Sequence, residues 1–301
     1  MDTQTGRRLW ERLDLPPHCR ILGDDDNVYL WRMDERSVQV LSAVDGRSLR
    51  EQTWNVPPDD VLMHHGSLVW SVERKPVTTV ALNDARDGAT VWSRRFAPNS
   101  IPFAMDSSTV GVIEPGGLLH LLAADTGSPL GEALSVEVPG RVERIVCLHD
   151  EQRWYVAVSG PVPRLPVLQG DQPWGGSRVA FVNGWLYGID RRTAAISWRR
   201  FLDSEPLPQV NSHVVPLFVQ MWRQPGADGG SGSNGQGILR LIDKRTGGEI
   251  LTHRDPNMQP YFVLLPVVDG HLLDVHTDHE KFRLNYNTAE STPSERAGDK
   301  K

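Results

Sequence analysis

The stretch Asp2-Thr3-Gln4-Thr5-Gly6-Arg7-Arg8-Leu9-Trp10 carries a skeleton, D-x-x-T-G-x-x-x-W, that returns along the chain. It comes back as Asp190, Thr193 and Trp198, with Ala194 in place of the glycine. Looser copies are Asp84, Asp87, Gly88 and Trp92, and Asp243, Thr246, Gly247 and Leu251; worn ones centre on Gly46 and Gly127. The unit reads as a tight turn between two strands. In ILRLIDKRTGGEILTHR the apolar positions Ile238, Leu239, Leu241 and Ile242 give way to Asp243 and Thr246, and strand character resumes at Ile250. Glycine tolerates the positive φ of such a turn, while Asp and Thr can bond the turn's own amides. The tryptophan of the outgoing strand suits the covering of a gap between neighbouring sheets better than the stacking of a ligand.

Working outward, the turn positions fall at 6, 46, 88, 127, 194 and 247, with spacings of 40, 42, 39, 67 and 53 residues. A period near 40 built from short strands predicts a β-propeller with about four strands per blade. No segment of ten or more residues has helical periodicity with caps. The first full unit reads Cys19 to Gly23, Val28 to Trp31, Ser37 to Ala43 and Ser48 to Trp54. The long spacings coincide with a Pro-rich stretch containing Trp174 at 160–177 and a Gly/Ser run at 226–237, read as insertions inside blades. The end of the chain offers three strands, Phe262 to Val268, His271 to His276 and Lys281 to Asn285, and residues 7–13 offer the missing fourth. The expectation is therefore an all-β propeller of about six four-stranded blades over residues 1–287, closed by the N- and C-terminal strands. A polar, disordered tail at 288–301 follows. A fragment of a larger eight-bladed or multidomain chain is the alternative.

Composition bounds the rest. The chain has 301 residues, with 32 basic against 38 acidic and a net charge of −6. No dense basic run is present, which argues against nucleic acid as partner. No apolar run reaches the length of a spanning helix, so direct membrane insertion is not expected. The two cysteines, Cys19 and Cys147, lie far apart and build neither a disulfide framework nor a zinc site. Compartment is left open by these features; membership of a longer exported chain would place the protein in the periplasm or cell envelope.

The turn motif resembles the PQQ-type propeller repeat, from Asp2 to about Tyr286. That family includes quinoprotein alcohol dehydrogenases and the outer-membrane assembly lipoprotein BamB. The stretches VNGWLYGIDRRTAAISW and ILRLIDKRTGGEIL are also similar to the final blades of very long planctomycete-type bacterial repeat proteins. The resemblance implies WD40-like architecture. The dehydrogenases hold their quinone with a vicinal disulfide and a calcium-bound Asp. Here the cysteines stand at 19 and 147 and no such Asp motif can be placed, so PQQ and calcium are not expected.

Other clusters are weaker. In DGHLLDVHTDHE, strand alternation sends His271 and His279 away from His276, so with Asp274 and Asp278 the segment reads as a solvated hairpin. His64-His65 sits at a hairpin end, and GDDDN at 23–27 has too few spaced oxygens for an EF-hand. Trp31, Trp70, Trp154 and Trp222 all fall on second strands and read as core. The functional expectation is a scaffold that binds another protein without catalysis. Its named residues form a structural repeat: Asp2, Thr5, Gly6, Trp10, Asp84, Gly88, Trp92, Asp190, Thr193, Trp198, Asp243, Thr246 and Gly247. The alternatives are a PQQ-dependent dehydrogenase domain and a carbohydrate- or peptide-binding propeller.

Overall fold

A computed structural model describes residues 8–15, 19–32, 37–53, 60–65, 68–162, 179–208, 217–224, 236–255, 262–266, 272–277 and 281–285. Asp2, Thr5 and Gly6 lie outside these residues, as do Trp174, His271, Asp278, His279 and the tail. Among the described residues there is no helix.

The strands form six antiparallel sheets in sequence order. Sheet 1 holds β1 (Cys19–Gly23), β2 (Asn27–Arg32), β3 (Ser37–Ser42) and β4 (Ser48–Thr53). Sheet 2 holds β5 (Asp60–His65), β6 (Leu68–Glu73), β7 (Thr78–Asp84) and β8 (Thr90–Phe96). Sheet 3 holds β9 (Ile101–Asp106), β10 (Thr109–Ile113), β11 (Leu118–Ala123) and a short β12 (Leu134–Ser135). Sheet 4 holds β13 (Arg144–His149), β14 (Arg153–Ser159), β15 (Val179–Asp190) and β16 (Ala195–Pro208). Sheet 5 holds β17 (Leu217–Gln224), β18 (Gln236–Asp243) and β19 (Glu249–Asp255); sheet 6 holds β20 (Phe262–Pro266), β21 (Leu272–Thr277) and β22 (Lys281–Asn285). This up-and-down order is that of propeller blades. Two compact units are present, Met1–Gly160 with Trp185–Arg199, and Pro161–Gly184 with Arg200–Lys301.

The inner strands of sheet 3 are apolar on both faces, because sheets 2 and 4 flank them. β10 is buried at all five positions. Val110 and Val112 pack with Trp70, Val80, Leu82 and Leu122 toward sheet 2. On the opposite face Ile113, with Leu119 and Leu121 of β11, packs against Trp154, Val156, Tyr187 and Ile189 of sheet 4. Period-two alternation thus sends successive residues into different cores. Tyr29, Trp31, Val38 and Val40 meet Val69 and Ala85 in the core between sheets 1 and 2.

The repeat motif is the turn between the third and fourth strands. Gly46, Gly88, Gly127 and Gly247 donate their amides to Ser42, Asp84, Ala123 and Asp243 carbonyls at 2.8–2.9 Å. All four are left-handed, with φ of 71°, 73°, 66° and 67°. Ala194 holds the same place at φ 51° despite its side chain. The first Asp accepts the amide two residues on, as Asp84 does from Arg86 and Asp243 from Arg245. Thr246 accepts the Gly248 amide, and Asp87 at the equivalent position accepts that of Ala89.

Residues 8–15 carry no assigned strand, and among the described residues sheet 6 has three strands. Trp10 docks on the turn of sheet 1, its indole against Gly46. β16 runs on past its pairing with β15 to Pro208. Its later half lies beside β17, where Gln220 donates to the Pro206 carbonyl at 2.9 Å. Ser204, at φ 55°, breaks the regular geometry between the two halves. One long strand therefore serves two sheets.

Candidate interaction surface

Sheets 1, 3 and 4 each place two turns on one end, the hairpin between the first two strands and the motif turn before the last. Backbone bonds tie them together: Ala43, Ala124 and Arg191 amides donate to Asp26, Ser108 and Gln152 carbonyls at 2.8–2.9 Å. The hairpin has its own recurrent device. Asp24 Oδ1 accepts the amides of Asp26 and Asn27, and its Oδ2 accepts the Tyr29 hydroxyl at 2.7 Å. Asp150 repeats this with Gln152, Arg153 and Tyr155, the last at 2.5 Å. The GDDDN stretch is thus a self-capped turn. Burial, then the Asp carboxylates, push both tyrosine hydroxyls well above their usual range.

Asp106 is the third copy, with Gly111 where the tyrosine would be. Its Oδ1 accepts the Ser108 amide at 2.7 Å, and the free Oδ2 turns to the next sheet. There it accepts Trp154 Nε1 at 2.6 Å and pairs with Arg191 at 2.9 Å. Arg191 also lies 5.0 Å over the Trp154 ring and donates to the Asp150 carbonyl. Burial pushes the Asp106 carboxyl up, but the Trp154 and Ser108 hydrogen bonds and the Arg191 charge outweigh it and hold the group low. The Cys147 thiol beneath is pushed up to about 12 by burial and the Asp106 charge, and donates to the Met105 carbonyl at 3.5 Å. Both cysteines are free.

The motif tryptophans fill two roles. Trp10 Nε1 donates to the Ala43 carbonyl at 2.8 Å with its ring against Gly46. Trp92 does the same one sheet onward, to Ala124 at 3.0 Å and against Gly127. Where sheet 1 lacks the tryptophan, Arg50 and Gln52 donate to Arg86 and Ala85 carbonyls. Where sheet 3 lacks it, Gly131 faces Ala194, small against larger. Trp198 covers Gly188 of its own sheet, 6.0 Å from the Tyr155 ring. Trp31, Trp70, Trp154 and Trp222 are buried.

Asp190 caps its turn through Thr193, which together with the Arg192 amide holds its carboxyl low. Asp84 and Asp243 pair with Arg86 and Arg245. Asp274 pairs with Arg283 across β21 and β22. Among the described residues no group of three His, Cys, Asp or Glu converges, and no helix is long and apolar enough to cross a membrane.

What the sequence reading missed is a recurrent exposed aliphatic position. Leu9, Leu49, Val91, Leu130 and Ile250 each stand three positions after a motif glycine, and all are exposed. That fixed offset is the signal that could have found them. Tyr29, Tyr155 and Asp106 were equally legible as D-x-x-x-x-Y and its variant.

Four-stranded blades joined by recurrent turn docking define a β-propeller of PQQ-type repeats. The chain belongs to the family described as outer membrane protein assembly factor BamB, whose model matches residues 76–255, more than half its length. No curated protein matches. Among solved structures, BamB from Moraxella catarrhalis is 16% identical, covering 88% of this chain and 84% of that one, with a TM-score of 0.40. Kuenenia stuttgartiensis hydrazine synthase is 11% identical over 90% and 79%, with a TM-score of 0.41. The C-terminal WD40 domain of Sif2 is 8% identical over 90% and 69%, with a TM-score of 0.40.

Proposed function

We propose that this propeller is a non-catalytic scaffold that docks another protein and holds neither PQQ nor calcium. The observation that carries the reading is how the turn-face acids are used. Asp24, Asp84, Asp106, Asp150, Asp190 and Asp243 each accept amides of their own turn, and all six also hold a Tyr, Trp, Arg or Thr side chain. Asp24, Asp106 and Asp190 are held low, whereas a general acid needs a raised value. Neither cysteine can supply a vicinal disulfide for a quinone. The outer strands, by contrast, present exposed aliphatic side chains, and family membership points to assembly work. Addition of PQQ and calcium should leave the absorbance spectrum additive and give no dye reduction with alcohols or sugars. Calcium-dependent dye reduction would overturn the reading.

A further inference from the structure

The outer strands differ in what their side chains are free to do. In β4, Arg50 and Gln52 are tied to carbonyls of sheet 2 and Glu51 to Arg32. On β16, Arg199 pairs with Glu137 and Arg200 with Glu249. In β19, Glu249 is held by Arg200, Arg240 and Thr252. Only two residues make up β12. β8 is seven residues long, closes sheet 2 as its last strand, and is exposed at five positions. Trp92 and Phe96 anchor it to the core behind. Arg94 and Arg95 are exposed, and among the described residues neither has an ion pair or side-chain hydrogen bond.

Register places this end of β8 next to further positive charge. Thr79 faces Arg95, and Thr78 faces Phe96. The hairpin entering β7 carries exposed Arg74 and Lys75. A basic corner on a chain of net charge −6 selects an acidic partner. The last strand of a sheet offers one row of main-chain donors and acceptors, and exposed Val91 offers an apolar contact.

We propose that the outer edge of β8 docks an extended acidic segment of a partner protein by strand addition, with Arg94 and Arg95 receiving its carboxylates. This rests on the scaffold reading and names the chemistry of the partner. Arg94 and Arg95 project to opposite faces, so the segment carries acids on both sides and an apolar residue opposite Val91.

The test is fluorescence anisotropy with a labelled seven-residue extended peptide carrying two adjacent Glu residues and a Val three positions from the nearer one, using the full chain. The expected result is saturable binding that weakens about tenfold in the Arg94→Ala/Arg95→Ala variant and falls with salt. N-methylation of alternate peptide amides should abolish it without altering charge. Circular dichroism checks that the exposed substitutions leave the sheets intact. Equal binding by the double variant, equal binding of the N-methylated peptide, or equal competition by an oligothymidylate would each overturn the proposal. So would a concentration-dependent dimer lost in the double variant, because the edge would then serve a second copy. Failure here leaves the quinone titration, and with it the scaffold reading, untouched.

Discussion

Substitution of Gly127 by Ala offers a quantitative test of how one sheet docks on the next. At φ 66° the new side chain carries roughly 1–2 kcal/mol of backbone strain. Its Cβ would stand 2.6 Å from Trp92 Cδ2, so the indole must move, at about 2 kcal/mol by the measure of overpacked cores. The single substitution should therefore cost about 3.5 kcal/mol. Trp92→Ala removes a half-buried aromatic and its bond to the Ala124 carbonyl, about 3 kcal/mol, the low end for such truncations. In the double variant the clash has no partner, so Gly127→Ala should add only about 1.5 kcal/mol. The cycle then closes on a coupling of roughly −2 kcal/mol. Urea unfolding of the four proteins at a shared slope measures it. Additivity within about 0.5 kcal/mol would refute the idea that Gly127 is glycine because of Trp92.

Three further outcomes follow from the turn face. Asp106→Asn leaves the part-buried Arg191 without its counter-charge and should destabilise by about 1.5–3 kcal/mol in the same assay. The folded Asp106 carboxyl titrates below its unfolded value, so its contribution is whole above the ordinary carboxylate range and is lost as pH falls through the depressed one. The acid limb of stability against pH should accordingly be shallower in Asp106→Asn. Tyr155→Phe keeps the ring but removes the bond to Asp150, and should cost about 1–2 kcal/mol at unchanged slope. Cys147, pushed up to about 12, should resist iodoacetamide at pH 8 until the protein unfolds, as peptide mass mapping would reveal.

The propeller architecture was legible because its cause is local. A left-handed glycine, an Asp accepting the next amides and alternating apolar residues on either side are properties of ten consecutive residues, so spacing alone exposed the repeat at Gly46, Gly88, Gly127 and Gly247. Strand pairing within a blade followed, since each hairpin joins sequence neighbours. What no local rule could supply was where a side chain goes once it leaves its own sheet. Trp92 meets Gly127 and Trp198 covers Gly188, contacts made outside each tryptophan's own turn. Nor could spacing show that β16 runs on to serve sheet 5, or which turn Trp10 meets. Those outcomes turn on which surfaces are left uncovered after the sheets pack. Arg94 and Arg95 are the same lesson on the outside: arginines paired elsewhere by distant carboxylates are left unpaired on β8, and only the assembled fold decides which charges remain to meet a partner.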